Sequence, residues 1–89
     1  MAKKDEIDKV WEKAQPIRGE DPNKYRQDPY GNKLNKSSYG KDTETGWEID
    51  HIKPSSRGGS DSIRNKQALK TSVNREKGDS LVKKSRHNQ

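Results

Sequence analysis

A chain of 89 residues, with 22% apolar and 38% charged side chains, holds at most one small domain with a thin core. Its lack of Cys excludes disulfides and cysteine–zinc staples, and no apolar run reaches the length of a signal peptide or a membrane span. The net charge of +6 is uneven, +1 over residues 1–44 and +5 over residues 45–89, which points toward a polyanion such as nucleic acid. A solvated surface with a basic tail is the competing reading of that charge.

Such a composition also suits a disordered chain, but two Trp, three Tyr and seven Gly in a non-repetitive sequence favour a compact domain. The expected product is soluble and cytoplasmic, in a bacterial or phage-infected cell. In chain order, Ile7, Val10, Trp11 and Ala14 recur at helical spacing within "KKDEIDKVWEKA", and Pro16 stops the run. This predicts an amphipathic helix of about three turns. Residues 16–46 read as loop-rich. Asp21 and Pro22 are placed to cap and start a short helical turn, "DPYGN" is a turn signal, and "KLNKSSY" is a weak strand. Tyr25, Tyr30 and Tyr39 are expected to pack over the core.

"WEIDHIK" reads as a strand closed by Pro54. "PSSRGGSDS" is then an irregular loop reversed at Gly58-Gly59, "NKQAL" a second strand, and "KTSVNREKG" a short helix capped at Gly78. Residues 83–89 read as a frayed basic tail that includes His87, leaving a single domain over residues 1–82.

Asp50 and His51 are candidates for metal binding and proton transfer. A carboxylate is a hard oxygen ligand, and a neutral imidazole takes a proton from water near neutral pH. Taken alone, the dipeptide is better read as a structural pair on a strand. With Asn65 and Asn74 following at 14 and 23 residues, and the Gly58-Gly59 turn between, the ordered set is far more specific.

Residues 46–79, "GWEIDHIKPSSRGGSDSIRNKQALKTSVNREKGD", resemble the HNH endonucleases of the ββα-metal fold. The resemblance implies an α+β domain with an N-terminal helix and long loops around the ββα motif. It implies that His51 is the general base and Asp50 a metal-ligating carboxylate. Asn65 would brace the loop and help to position the base, and Asn74 would be the second metal ligand. Because the third motif residue is Asn rather than His, two oxygen ligands suit Mg²⁺, or Mn²⁺, better than Zn²⁺. The implied reaction is hydrolysis of a DNA phosphodiester to a 5′-phosphate and a 3′-hydroxyl. Arg75 and Lys77 either hold flanking phosphates or are solvated charges favoured by the helix dipole. Lys53, Arg57, Lys66 and Lys70 would extend a nonspecific phosphate track.

Neighbouring residues of a regular strand point to opposite faces, so a shared site for Asp50 and His51 predicts that the strand ends or bulges near His51. Trp47 and Ile49 would then build the core beneath the pair, with Ile52 covering the other side. The alternatives are a DNA-binding module that keeps the fold without cutting, and a partly disordered basic interaction protein. The second leaves the motif spacing unexplained. Sequence specificity would have to come from a homodimer or a partner protein, since no base-reading element is recognisable.

Overall fold

The computed structural model describes residues 2–77. The fold is α+β, with helix α1 (Lys4–Lys13), strands β1 (Gln15–Pro16), β2 (Tyr25–Gln27) and β3 (Lys33–Asn35), then β4 (Trp47–His51), β5 (Lys66–Lys70) and helix α2 (Thr71–Lys77). β1, β2 and β3 form a small antiparallel sheet, β4 and β5 an antiparallel pair, and α2 follows β5 without a loop. Among the described residues no helix is long and apolar enough to cross a membrane.

The helical spacing near the N-terminus is realised in α1. Val10 and Trp11 are fully buried, while Ile7 and Ala14 pack more shallowly against the same cluster. Asp5 and Glu6 in the first turn and Lys13 in the last complement the helix dipole. Trp11 meets Trp47 of β4 with ring centroids 5.2 Å apart at 44°, and its indole N–H donates to the Pro22 carbonyl at 2.9 Å. Leu34 and Ala68 complete this core. With so few apolar residues, Trp11→Ala would cost about 3–5 kcal/mol and leave little to close the domain.

In the loop-rich stretch β3 realises the start of the weak strand expected in "KLNKSSY", while β1 and β2 are additions. Asp28 organises this sheet, because its buried carboxylate accepts from the backbone N–H groups of Tyr30, Asn32 and Lys70 and from the Asn32 amide. One side chain thus closes the turn between β2 and β3 and ties that sheet to the end of β5. Asp21 caps a single turn ahead of β2, accepting from the Asn23 N–H. Tyr39 stacks edge-on against Trp47 at 5.0 Å, and Lys33 lies over the Tyr25 ring at 4.3 Å.

β4 and β5 pair in an unbroken register from Trp47–Lys70 to His51–Lys66, with Asp50 opposite Gln67. The Ile52 N–H then donates to the Asn65 carbonyl at 2.7 Å. Of the two alternatives expected near His51, an end or a bulge, the structure shows the end: β4 stops at His51 and its pairing is regular up to that residue. Strand alternation sends Trp47 into the α1 core with Ile49 packed against it. Glu48 and Asp50 face α2 instead, where they meet Asn74 and Lys77. Asn65 does not open β5, but ends the 3-10 turn Ile63–Asn65 just before it. Ile52 is 41% exposed and stands on the wall of a cleft with Ala14, Gln67 and Ala68. Gly78, Asp79, the end of the expected domain at residue 82 and the tail with His87 lie outside the described residues.

Candidate functional site

Asp50, His51 and Asn74 line one open cleft of about 260 Å³, with Ile49, Pro54, Ser55 and Ser56. Asp50 and His51 both line it although strand alternation sends neighbouring residues of β4 to opposite faces. Asn74 enters from α2, and Pro54, Ser55 and Ser56 from the loop that leaves β4.

Asp50 is 4% exposed and its two oxygens are held separately. Oδ1 accepts from the Lys77 ammonium at 3.0 Å, and Oδ2 from the Gln67 amide at 2.8 Å. Lys77 also donates to the His51 carbonyl at 3.1 Å, so one ammonium ties the last described residue of α2 to both members of the Asp-His pair. Removing two charges from water is costly unless they are paired and hydrogen-bonded, and this pair meets both conditions. The expectation that Lys77 faces flanking phosphates is corrected here. It is 3% exposed and turned inward, since it lies three residues beyond Asn74 and shares its helix face.

His51 is half-buried, and its Nε2 lies 2.9 Å from Asp61 Oδ1. Asp61 also meets the Lys66 ammonium at 3.2 Å. Hydrogen bonds to His51 and to Lys66, with the Lys66 charge, hold the Asp61 carboxyl below its ordinary value. Lys66 is buried and bonded in turn to Glu6 of α1, which raises its own pKa. It therefore adds nothing to an exposed phosphate track, as it had been expected to do.

Asn65 clamps the intervening loop. Its Oδ1 accepts from the Lys53 N–H at 2.9 Å, and its Nδ2 donates to the carbonyls of Lys53 at 2.9 Å and Ser60 at 2.7 Å. Both faces of the carboxamide are thus spent on holding the two ends of the loop together. Inside the loop, Gly58 has φ +87°, a left-handed conformation that favours glycine. A Cβ on Gly59 would stand 1.7 Å from the Lys53 carbonyl oxygen, so the chain reverses only because that position is empty.

Asn74 donates to Glu48 Oε1 at 3.0 Å, while its own oxygen has no hydrogen-bond donor among the described residues. Arg75 is exposed and lies near Asp42 at 3.4 Å and Glu48 at 3.5 Å, distances at which exposed pairs contribute little. Lys70 is half-buried and meets Glu44 at 3.4 Å. Lys53 and Arg57 are exposed, as is Arg64, and among the described residues none of the three forms a salt bridge.

A divalent metal can be tested against these donors. Among the described residues no three His, Cys, Asp or Glu side chains converge. Asp50 and Asn74 offer hard oxygens in one cleft, and each Asp50 oxygen carries a single donor. That set fits a largely hydrated Mg²⁺ or Mn²⁺ better than Zn²⁺. Glu48, Asp61, Gln67 and the inward role of Lys77 were not anticipated from the sequence. Gln67 could have been found from the hairpin register, and Lys77 from its three-residue offset from Asn74.

Comparison with curated proteins and with solved structures gives no significant match. A family model described as HNH endonuclease matches residues 28–82, more than half of the chain, and spans β3, β4, β5 and α2 with every residue that lines the cleft. By that match, over a ββα unit bearing Asp50, His51, Asn65 and Asn74 at the positions described, the chain belongs to the HNH endonuclease family.

Proposed function

We propose that the protein is a metal-dependent endonuclease that hydrolyses DNA phosphodiester bonds with little sequence preference of its own. The observation that carries this reading is the convergence of Asp50, His51 and Asn74 on one cleft, beside a loop bearing the exposed cations Lys53 and Arg57. His51 acts as general base, taking a proton from the attacking water. Asp50 and Asn74 would hold a divalent metal through oxygen, and Asn65 keeps the loop beside the base closed. When bound, a divalent ion supplies electrostatic stabilisation for the charge that develops on the phosphate and the leaving oxygen. Lys53, Arg57 and Arg75 attract the flanking backbone, a contribution that weakens as salt rises.

One site of this size acts on one strand at a time, so nicks precede double-strand breaks. Supercoiled plasmid incubated with the protein and Mg²⁺ or Mn²⁺ should become nicked and then linear, and EDTA should stop the reaction. If the protein binds DNA but cuts with neither ion across a range of pH and salt, it is a binding module on a nuclease fold.

A further inference from the structure

Asp61 belongs to no role assigned above, yet among the described residues it is the only side chain hydrogen-bonded to the His51 imidazole. Its Oδ1 lies 2.9 Å from Nε2 of the imidazole, and it is itself held at 3.2 Å by Lys66. Lys66 is anchored at its buried ammonium by Glu6 of α1, and its backbone carbonyl accepts from Lys13 at the other end of that helix. The chain of contacts therefore runs from α1, which precedes the segment matched by the family model, to the imidazole. A carboxylate accepts and cannot donate when ionised, so a hydrogen bond to it requires a proton on Nε2. The other ring nitrogen, Nδ1, is then the basic one.

Resting on the reading of His51 as general base, we propose that Asp61 is a positioning residue that fixes the His51 tautomer with its proton on Nε2. Nδ1 is thereby left to take the proton from water, and the Lys66–Glu6 pair holds Asp61 in place from α1. The side chain of Asp61 is 84% exposed, so it can be changed without opening the core.

The test compares wild type, Asp61→Ala and Asp61→Asn by long-range ¹H–¹⁵N correlation of the imidazoles, followed across a pH series. Only two histidines are present, and His51→Ala identifies the His51 signals. Wild type should show the proton on Nε2. Asp61→Ala should lose that preference and lower the rate of plasmid nicking by about tenfold or more with DNA affinity unchanged. Asp61→Asn keeps an acceptor oxygen and should restore both the tautomer and most of the rate. A wild-type proton on Nδ1, or an Asp61→Ala protein with wild-type tautomer and rate, overturns the proposal. If wild type cuts nothing, the nuclease reading fails instead, and the tautomer comparison still decides whether Asp61 governs the ring.

Discussion

Replacing Lys77 with Met tests whether the floor of the cleft is built as described. The side chains of Lys77 and Asp50 are 2% and 5% exposed, and their atoms meet at 3.0 Å. Met fills most of the volume of Lys but leaves Asp50 with Gln67 as its one donor. An uncompensated buried charge of this kind costs about 3–5 kcal/mol. That is a large share of the ~5–15 kcal/mol that holds a domain together. In urea denaturation Lys77→Met should show a lower midpoint with an unchanged slope, and its melting temperature should fall by more than about 10 °C. The double change Asp50→Asn/Lys77→Met removes both charges, so it should be more stable than Lys77→Met alone. A divalent ion that binds Asp50 would supply the missing positive charge, so Mg²⁺ or Mn²⁺ should stabilise Lys77→Met more than wild type. A Lys77→Met protein within about 0.5 kcal/mol of wild type, the range of ordinary surface changes, would refute the buried pair.

Three further outcomes follow from the loop and its partners. Asn65→Ala removes the clamp on Lys53 and Ser60, at a cost of about 2 kcal/mol; hydrogen exchange at the Lys53 amide should accelerate and nicking should slow, whereas unchanged exchange would exclude the clamp. Gly59→Ala forces a methyl against the Lys53 carbonyl and should destabilise by at least ~1–3 kcal/mol in thermal melts, while a neutral result would mean that the reversal is drawn wrongly. The Asp61 carboxyl titrates below its ordinary value of 3.8, so its contribution to stability is present above that pH and is lost as pH falls through the folded value. Urea midpoints across an acid series should therefore decline less for Asp61→Asn than for wild type below that pH, and parallel declines would contradict the assignment.

Much of the site was legible because its signals are local. The 3.6-residue spacing of Ile7, Val10, Trp11 and Ala14 announces α1, and the alternation through Trp47, Ile49 and His51 announces β4. Motif spacing brought Asp50, His51, Asn65 and Asn74 into consideration together, and three of them line the cleft while Asn65 grips the loop beside it. What stayed hidden depends on pairing between distant segments. β1 and β2 are two and three residues long, too short for periodicity to register, whereas β3 falls in the weak strand read from "KLNKSSY"; the sheet's organiser is the buried carboxylate of Asp28. Lys66 and Lys77 read as surface cations because lysine usually is one. Their burial follows from the acids they meet, Glu6 lying 60 residues and Asp50 27 residues away in sequence. Near His51 the sequence left an end or a bulge open, and β4 ends there without a bulge, with Asp50 and His51 both lining the cleft.

The account stands or falls on His51. Wild-type and His51→Ala proteins should be compared on supercoiled plasmid in Mg²⁺, with DNA binding measured in parallel. Because the ring is half-buried on the cleft rim and outside the core, the variant should fold and bind DNA as wild type does. Wild type should nick the plasmid, and His51→Ala should lose nicking with binding retained. Equal cutting by the two proteins would contradict it.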